Sequence, residues 1–270
     1  SKPALRCRML PSCPGIRMAA LHVVQITDFH IRAEPGARSG GRDTHATLAA
    51  VIDAIAAGPA PDLVLATGDL VDDASPASYG RLAPLLRRLP APVHAIPGNH
   101  DDPAAMAQHL AGGNVHVGPC VAAGAWHVVL LDTLVPGEPH GHLGPERLAA
   151  LNAALAAATE PHLLIALHHP PAPIGSPLDD VGLMDAEALN AVLDRHQRVR
   201  AMVWGHNHHI HDSTRNGVRR LGTPSTCIQF DARPEMGFTR TAEPPAWRRL
   251  TLHEDGSLET EVCWLTDAAV

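Results

Sequence analysis

The stretch His22-Val23-Val24-Gln25-Ile26-Thr27-Asp28-Phe29-His30 decides the fold. Its first six residues, rich in β-branched and apolar side chains, read as a short buried strand. The strand runs without a turn signal into an aspartate and a histidine. The same construction recurs along the chain. Apolar residues 62–67 run into Gly68-Asp69, and 92–96 into Gly98-Asn99-His100-Asp101. Residues 162–167 run into His168-His169, and 200–204 into Gly205-His206-Asn207-His208. A further strand reads at 126–132, and Ala/Leu-rich helical patterns fall between the strands at 44–57, 75–89, 103–111, 144–158 and 185–196. Ser75 before Pro76 and Asp102 before Pro103 are start signals, a cap followed by a proline where no amide hydrogen is needed. Pro84 is expected to kink or split the second helix. After residue 208 the helical pattern stops, and strand-like runs follow at 218–222, 225–230, 247–252 and 258–264, with turn signals at Asn216-Gly217 and Asp255-Gly256. Alternating β and α followed by a run of β specifies an α/β fold with two sheets face to face and helices outside.

At 270 residues the chain is long for one domain and still within the reach of a single two-sheet domain, with 45% hydrophobic residues for a core. Residues 18–270 are read as that domain, β-rich from about 209, and residues 1–17 as a disordered N-terminal extension. Net charge is −7, aromatics are 3%, and Lys2 is the one lysine. A nucleic-acid binder needs a basic stripe interleaved with aromatics, so nucleic acid is excluded as a partner and a DNA-repair nuclease as a function. No run approaches the roughly 18 apolar residues of a membrane span. Cys7, Cys13, Cys120, Cys227 and Cys263 are odd in number and contain no Cys-x-x-Cys, which argues against a disulfide framework or thiolate zinc site and points to a cytoplasmic protein.

The residues at the strand ends suit metal chemistry, which also gives the 19 histidines a purpose. The C-terminal edge of an α/β sheet is where ligands gather. Two divalent ions about 3.5–4 Å apart need oxygen and imidazole donors and one bridging ligand. Asp69 has two carboxylate oxygens for the bridge, with Gly68 beside it to let backbone approach closely. Asp28 and His30, two apart on an extended segment, point the same way and share one ion, as do His206 and His208. Asn99 supplies a neutral amide oxygen that does not repel a phosphate.

The set Asp-x-His, Gly-Asp, Gly-Asn-His-Asp, His and Gly-His-x-His resembles the calcineurin-like metallophosphoesterase superfamily over about residues 22–210. The resemblance implies a four-layer α/β/β/α sandwich of two mixed sheets and two divalent or mixed-valence ions of manganese, iron or zinc. Carried over residue by residue, one ion is held by Asp28, His30, Asp69 and His208. The other is held by Asp69, Asn99, His168 and His206. His100 becomes the catalytic imidazole, and His30, Asp69, Asn99, His100 and His208 contact substrate. Further segments resemble the bacterial class III 3′,5′-cyclic-AMP phosphodiesterases: Leu131-Asp132-Thr133, Val135-Pro136-Gly137, His140-Gly141, Leu167 to Pro171, Thr223 to Phe230 and Trp247 to Leu250. Phe29 and His142 depart from the usual residues of that branch, and neither is a ligand. The implied activity is hydrolysis of a small phosphodiester, a 3′,5′-cyclic nucleotide first. A glycerophosphodiesterase is the alternative, and a non-catalytic scaffold on the same fold comes third. Relatives of this kind are usually homodimers.

The neighbouring residues carry further expectations. His169, His209 and His211 are read as supports of the ligands, His140 as part of a loop over the site, and Asp101 as the group that orients His100. Asp102 is a helix cap. Asp72 and Asp73 are expected to face solvent, and the Thr223–Phe230 run to be a packed strand.

Overall fold

A computed structural model describes residues 8–9, 20–175, 177–233 and 238–265. The chain forms β1 (Arg8–Met9), β2 (Ala20–Ile26), the hairpin β3 (Arg38–Ser39) and β4 (Arg42–Asp43), α1 (Thr44–Ala57), β5 (Leu63–Thr67), α2 (Pro76–Leu86) and β6 (Val93–Ile96). There follow α3 (Pro103–His109), β7 (Val115–Val117), β8 (Cys120–Ala123), β9 (Trp126–Leu130), α4 (Gly144–Ala157), β10 (His162–Ala166), a 3-10 turn (Pro177–Val181) and α5 (Ala186–Leu193). Last come β11 (Val199–Trp204), β12 (His211–Arg215), β13 (Val218–Gly222), β14 (Ala246–His253) and β15 (Leu258–Trp264).

One sheet has the order β1-β8-β9-β10-β11-β13-β12 and the other β15-β14-β2-β5-β6-β7. Both are mixed: β9, β10, β11 and β13 run parallel, as do β2, β5, β6 and β7, with antiparallel neighbours outside each set. Side-chain alternation explains the layering. In β2 and β5, Val23, Leu63 and Leu65 turn into a core shared with Val128, Leu164 and Val203 of the other sheet. Val24, Ile26, Val64 and Ala66 turn the other way, onto Leu48, Ile52 and Ile55 of α1 and Leu82 of α2. On the far side, Ile165 and Met202 pack under Leu151, Leu155 and Leu189 of α4 and α5. The result is the four-layer α/β/β/α sandwich expected from the sequence.

The local signals mostly hold. Ser75 accepts from the Ser78 amide at 3.1 Å and Asp102 from the Ala105 amide at 2.7 Å, so both cap their helices. At the β12–β13 hairpin Asn216 and Gly217 have φ of 50° and 79°, the pair of left-handed residues a tight primed turn requires.

Two expectations are corrected, and one strand went unannounced. Pro84 does not break α2, which continues to Leu86. The proline stands in the last turn, where it removes one hydrogen bond from the carbonyl of the exposed Gly80. Residues 225–230 form no strand, because their backbone groups bind the strand-end loops, as in the Thr226 amide to the Thr27 carbonyl at 3.1 Å. β12 has no apolar alternation to announce it, being the edge strand of its sheet. Of the extension at 1–17, Arg8 and Met9 pair in parallel with Val121 and Ala122, and the rest lies outside the described residues.

Candidate metal centre

All seven metal candidates lie in loops at the C-terminal ends of β2, β5, β6, β10 and β11, where the two sheets meet. The path of these loops is set by unusual backbone. Asp28, His30, Asp69, His206 and His208 have φ between 47° and 68°. This left-handed region is uncommon for residues with a Cβ and collects at functional sites. Asp28 and His30 are therefore not in regular extended conformation, as their spacing suggested: the chain runs on beside residues 68–71, with left-handed backbone at both positions. Gly98 makes the approach possible, since a Cβ there would stand 2.2 Å from Asp69 Oδ1.

The side chains converge in two groups. In the first, His30 Nε2 lies 3.3 Å from His208 Nε2, His208 Nε2 lies 3.4 Å from Asp28 Oδ1, and His30 Nε2 lies 3.7 Å from Asp69 Oδ2. In the second, His168 Nε2 lies 3.2 Å from both Asn99 Oδ1 and His206 Nδ1 and 3.4 Å from Asp69 Oδ1. Asp69 thus turns one oxygen to each group, the position of a bridge.

Supporting hydrogen bonds fix which ring nitrogens hold protons. His168 Nδ1–H donates to the Thr67 carbonyl at 2.9 Å and His208 Nδ1–H to the Ile228 carbonyl at 2.7 Å. His30 Nδ1 lies 3.3 Å from Asp72 Oδ1. In the neutral form of each of these three rings the Nε2 lone pair is aimed inward, where a cation would take the place of a proton. Two lone pairs face each other at 3.3 Å between His30 and His208, an arrangement that repels unless a cation lies among the donors. His206 turns its Nδ1 to the second group. The residues fit a pair of divalent ions.

The electrostatics couple these groups closely to one another. Burial opposes ionisation of Asp28, and the His208 charge and hydrogen bond outweigh it, holding its carboxyl below the usual range. Asp69 stands well below the usual range, His168 overcoming the same burial. Burial disfavours the His168 cation, yet the Asp69 charge pushes the ring up to about 9. For His206 burial dominates, joined by the His168 charge, and the ring is pulled down to about 3. Neighbouring imidazoles forced apart in this way share one source of negative charge.

His100 sits half-buried at the rim, its ring 4.9 Å from that of His30. Its backbone amide donates to Asp69 Oδ1 at 3.0 Å, and its Nδ1–H donates to the Asp72 carbonyl at 3.0 Å. Asp101 does not orient it. Asp101 is buried and accepts from the amides of Gly98, Leu70 and Val71 and from the Tyr79 hydroxyl, tying the loop after β5 to the loop after β6. Burial, then the nearby Asp69, pushes its carboxyl up to about 6. Asp72 does not simply face solvent: one oxygen meets His30 and the other Arg32 at 2.8 Å. Its place three residues after Asp69 was the available signal. Asp73 is exposed as expected.

His169 packs on His168 and His206 with ring centroids 4.9 Å from each, and its Nδ1 is hydrogen-bonded to Thr133 at 2.7 Å. Gly141 of the loop holding His140 lies against this ring, and His140 itself turns toward Glu138, 3.8 Å away. His211 leans away to Ser213 and Trp204. The segment 223–230 is what sequence reasoning missed most. Ser225 Oγ donates to the Asp28 carbonyl at 2.8 Å, and the Ile228 carbonyl sets the tautomer of His208.

Residues 21–209 match the model of the calcineurin-like phosphoesterase family. A protein of Pseudomonas aeruginosa named 3′,5′-cyclic adenosine monophosphate phosphodiesterase is 40% identical over 251 residues, 92% of each chain. One of the same name from Escherichia coli is 40% identical over 253 residues, 92% of this chain and 91% of its own. Among solved structures, a dimetal phosphatase from Danio rerio superposes with a TM-score of 0.63 over 91% of this chain and 99% of its own, at 16% identity, a likeness of fold alone.

Proposed function

This chain belongs to the calcineurin-like phosphoesterase family, and from that premise we propose that it hydrolyses 3′,5′-cyclic AMP, or another cyclic nucleotide, to the 5′-monophosphate. The observation that carries the reading is the 40% identity, over nearly the full length of both chains, to relatives bearing that name. The convergence of all seven candidate donors supports it: a scaffold freed from catalysis has no need to keep Asp28 and Asp69 buried among four imidazoles.

We assign Asp28, His30, Asp69 and His208 to one ion and Asp69, Asn99, His168 and His206 to the other, the donor types suiting manganese, iron or zinc. Two ions held there would neutralise the non-bridging phosphate oxygens and favour the ionisation of water. His30, Asp69, Asn99 and His208 line the floor on which the phosphate rests, and His100 stands at its edge. With Nδ1–H committed to the Asp72 carbonyl, the exchangeable proton of His100 sits on Nε2. Burial disfavours that charged form, but the Asp69 charge and the Asp72 carbonyl raise the affinity of the ring for its second proton. As water adds to phosphorus and the bond to the 3′-oxygen breaks, that proton passes to the departing oxygen. Cys227 and Cys263 are free thiols, which supports a reducing, cytoplasmic setting.

A turnover panel of cyclic AMP, cyclic GMP and glycerophosphodiesters with added manganese tests the reading. Cyclic AMP should turn over fastest with 5′-AMP as product, whereas preference for a glycerophosphodiester would make the glycerol diesters the substrate class.

A further inference from the structure

Aromatic side chains are scarce in this chain and nearly all are spent on the core: Phe29, Tyr79, Trp126 and Trp204 are fully buried and Trp247 is 6% exposed. The two other phenylalanines fall close together in sequence beside the candidate centre. Phe230 is half-buried, and Phe238 is one of three exposed large apolar side chains among the described residues. The backbone here is a short antiparallel ribbon, with the Asp231 amide donating to the Thr239 carbonyl at 2.8 Å and the Thr241 amide to the Gln229 carbonyl at 3.0 Å. Those bonds flank the opposed residues Phe230 and Arg240. The two are therefore a non-hydrogen-bonded pair, whose side chains share one face and stand close together.

That face borders the centre. The Phe230 ring lies 4.8 Å from the His208 ring, and the Phe230 amide donates to the His208 carbonyl at 3.3 Å. The Arg240 arm lies along the β3–β4 turn, its Cδ 3.3 Å from where a Cβ on Gly40 would stand. Arg240 is exposed, and its guanidinium has no partner among the described residues, whereas Arg32 and Arg42 nearby bond Asp72 and the carbonyls of Ala242 and Glu243.

Resting on the cyclic-nucleotide reading above, we propose that Phe230 and Arg240 bind the nucleoside end of the substrate and separate nucleotide diesters from glycerol diesters. A purine or pyrimidine offers a flat π face, on which a phenyl ring stacks and a guanidinium lies flat. Glycerol offers neither. The pair stands on the His208 side of the centre, so a phosphate held by the candidate ligands leaves its base to reach this rim.

The test compares kcat/KM for cyclic AMP with kcat/KM for methyl riboside 3′,5′-cyclic phosphate, which keeps the ring, charge and leaving oxygen and lacks the base. Variants are Phe230→Leu, which keeps apolar bulk against His208, and Arg240→Gln on the exposed rim, each checked for metal content. Loss of a base–aromatic stack is worth about 1–3 kcal/mol, so the preference for cyclic AMP over the base-free diester should fall about tenfold in Phe230→Leu. A several-fold fall is expected in Arg240→Gln. A preference unchanged in both variants overturns the assignment while leaving the cyclic-nucleotide reading in place. Wild-type protein that turns over neither cyclic substrate but cleaves a glycerophosphodiester overturns both.

Discussion

At the scale of single residues, Asp69 is the group on which both halves of the centre depend. One of its oxygens stands 3.4 Å from His168 and the other 3.7 Å from His30. Asp69→Asn keeps the shape, removes the charge and replaces one oxygen by a donor. Metal content should fall at both positions and turnover by orders of magnitude, with the folded far-UV spectrum retained because the residue sits beyond the end of β5. Two ions per chain with near-normal activity would remove Asp69 from the bridge. His100 is tested by its leaving group. General acid catalysis is worth about 10²–10⁴-fold, so His100→Ala should lose about that much on cyclic AMP. On a p-nitrophenyl diester, whose leaving group needs no proton, the loss should be far smaller. Equal losses on the two substrates would make His100 a binding group.

At the scale of elements, the strands and helices that hold the core were legible in the sequence, and the loops that shape the site were not. Short apolar runs mark β2 and β5, which pack on both faces, and burial recurring every three or four residues marks α1. The left-handed backbone at Asp28, His30, Asp69, His206 and His208 leaves no periodic trace. The residue types announced a metal centre, but their convergence depends on conformations that pattern does not encode. Segment 225–230 misled for the opposite reason: Thr226, Cys227, Ile228 and Phe230 are residue types common in strands, yet its polar groups serve the neighbouring loops. The Asp101 clamp shows how much holds those loops in place. Asp101→Ala would leave the amides of Gly98, Leu70 and Val71 buried and unpaired, at about 1–3 kcal/mol each if none finds water. Denaturant unfolding should show a loss of at least about 3 kcal/mol. Tyr79→Phe removes one of the four donors and should cost about 1 kcal/mol. An Asp101→Ala protein as stable as wild type would mean the loops are held from elsewhere.

At the scale of the whole molecule, charge decides what reaches the centre. The protein carries −7 with Lys2 as its one lysine, and its arginines are largely engaged: Arg147, Arg215 and Arg219 with aspartates, Arg198 and Arg249 with carbonyls. Arg248 is buried between the sheets, donating to Thr223, Thr260 and the Gly222 carbonyl. Arginines so engaged are not free to follow a phosphate backbone, and a long polyanion meets net repulsion from a chain of charge −7. A diester with one negative charge loses little to that field, because attraction at the centre acts over a few ångströms. Turnover of cyclic AMP should therefore change only weakly with salt, since each contacted phosphate of a polyanion, and not of a small diester, adds to the salt slope. Measured between 50 and 200 mM salt, kcat/KM should vary within about threefold, against the loss of roughly 10³–10⁵ in affinity shown by proteins that grip many phosphates. Single-stranded DNA should be cleaved slowly at enzyme concentrations that exhaust cyclic AMP. Rapid DNA degradation, with activity collapsing as salt rises, would mean that the small-substrate reading is wrong, and Asp69→Asn would still report whether the metal centre stands.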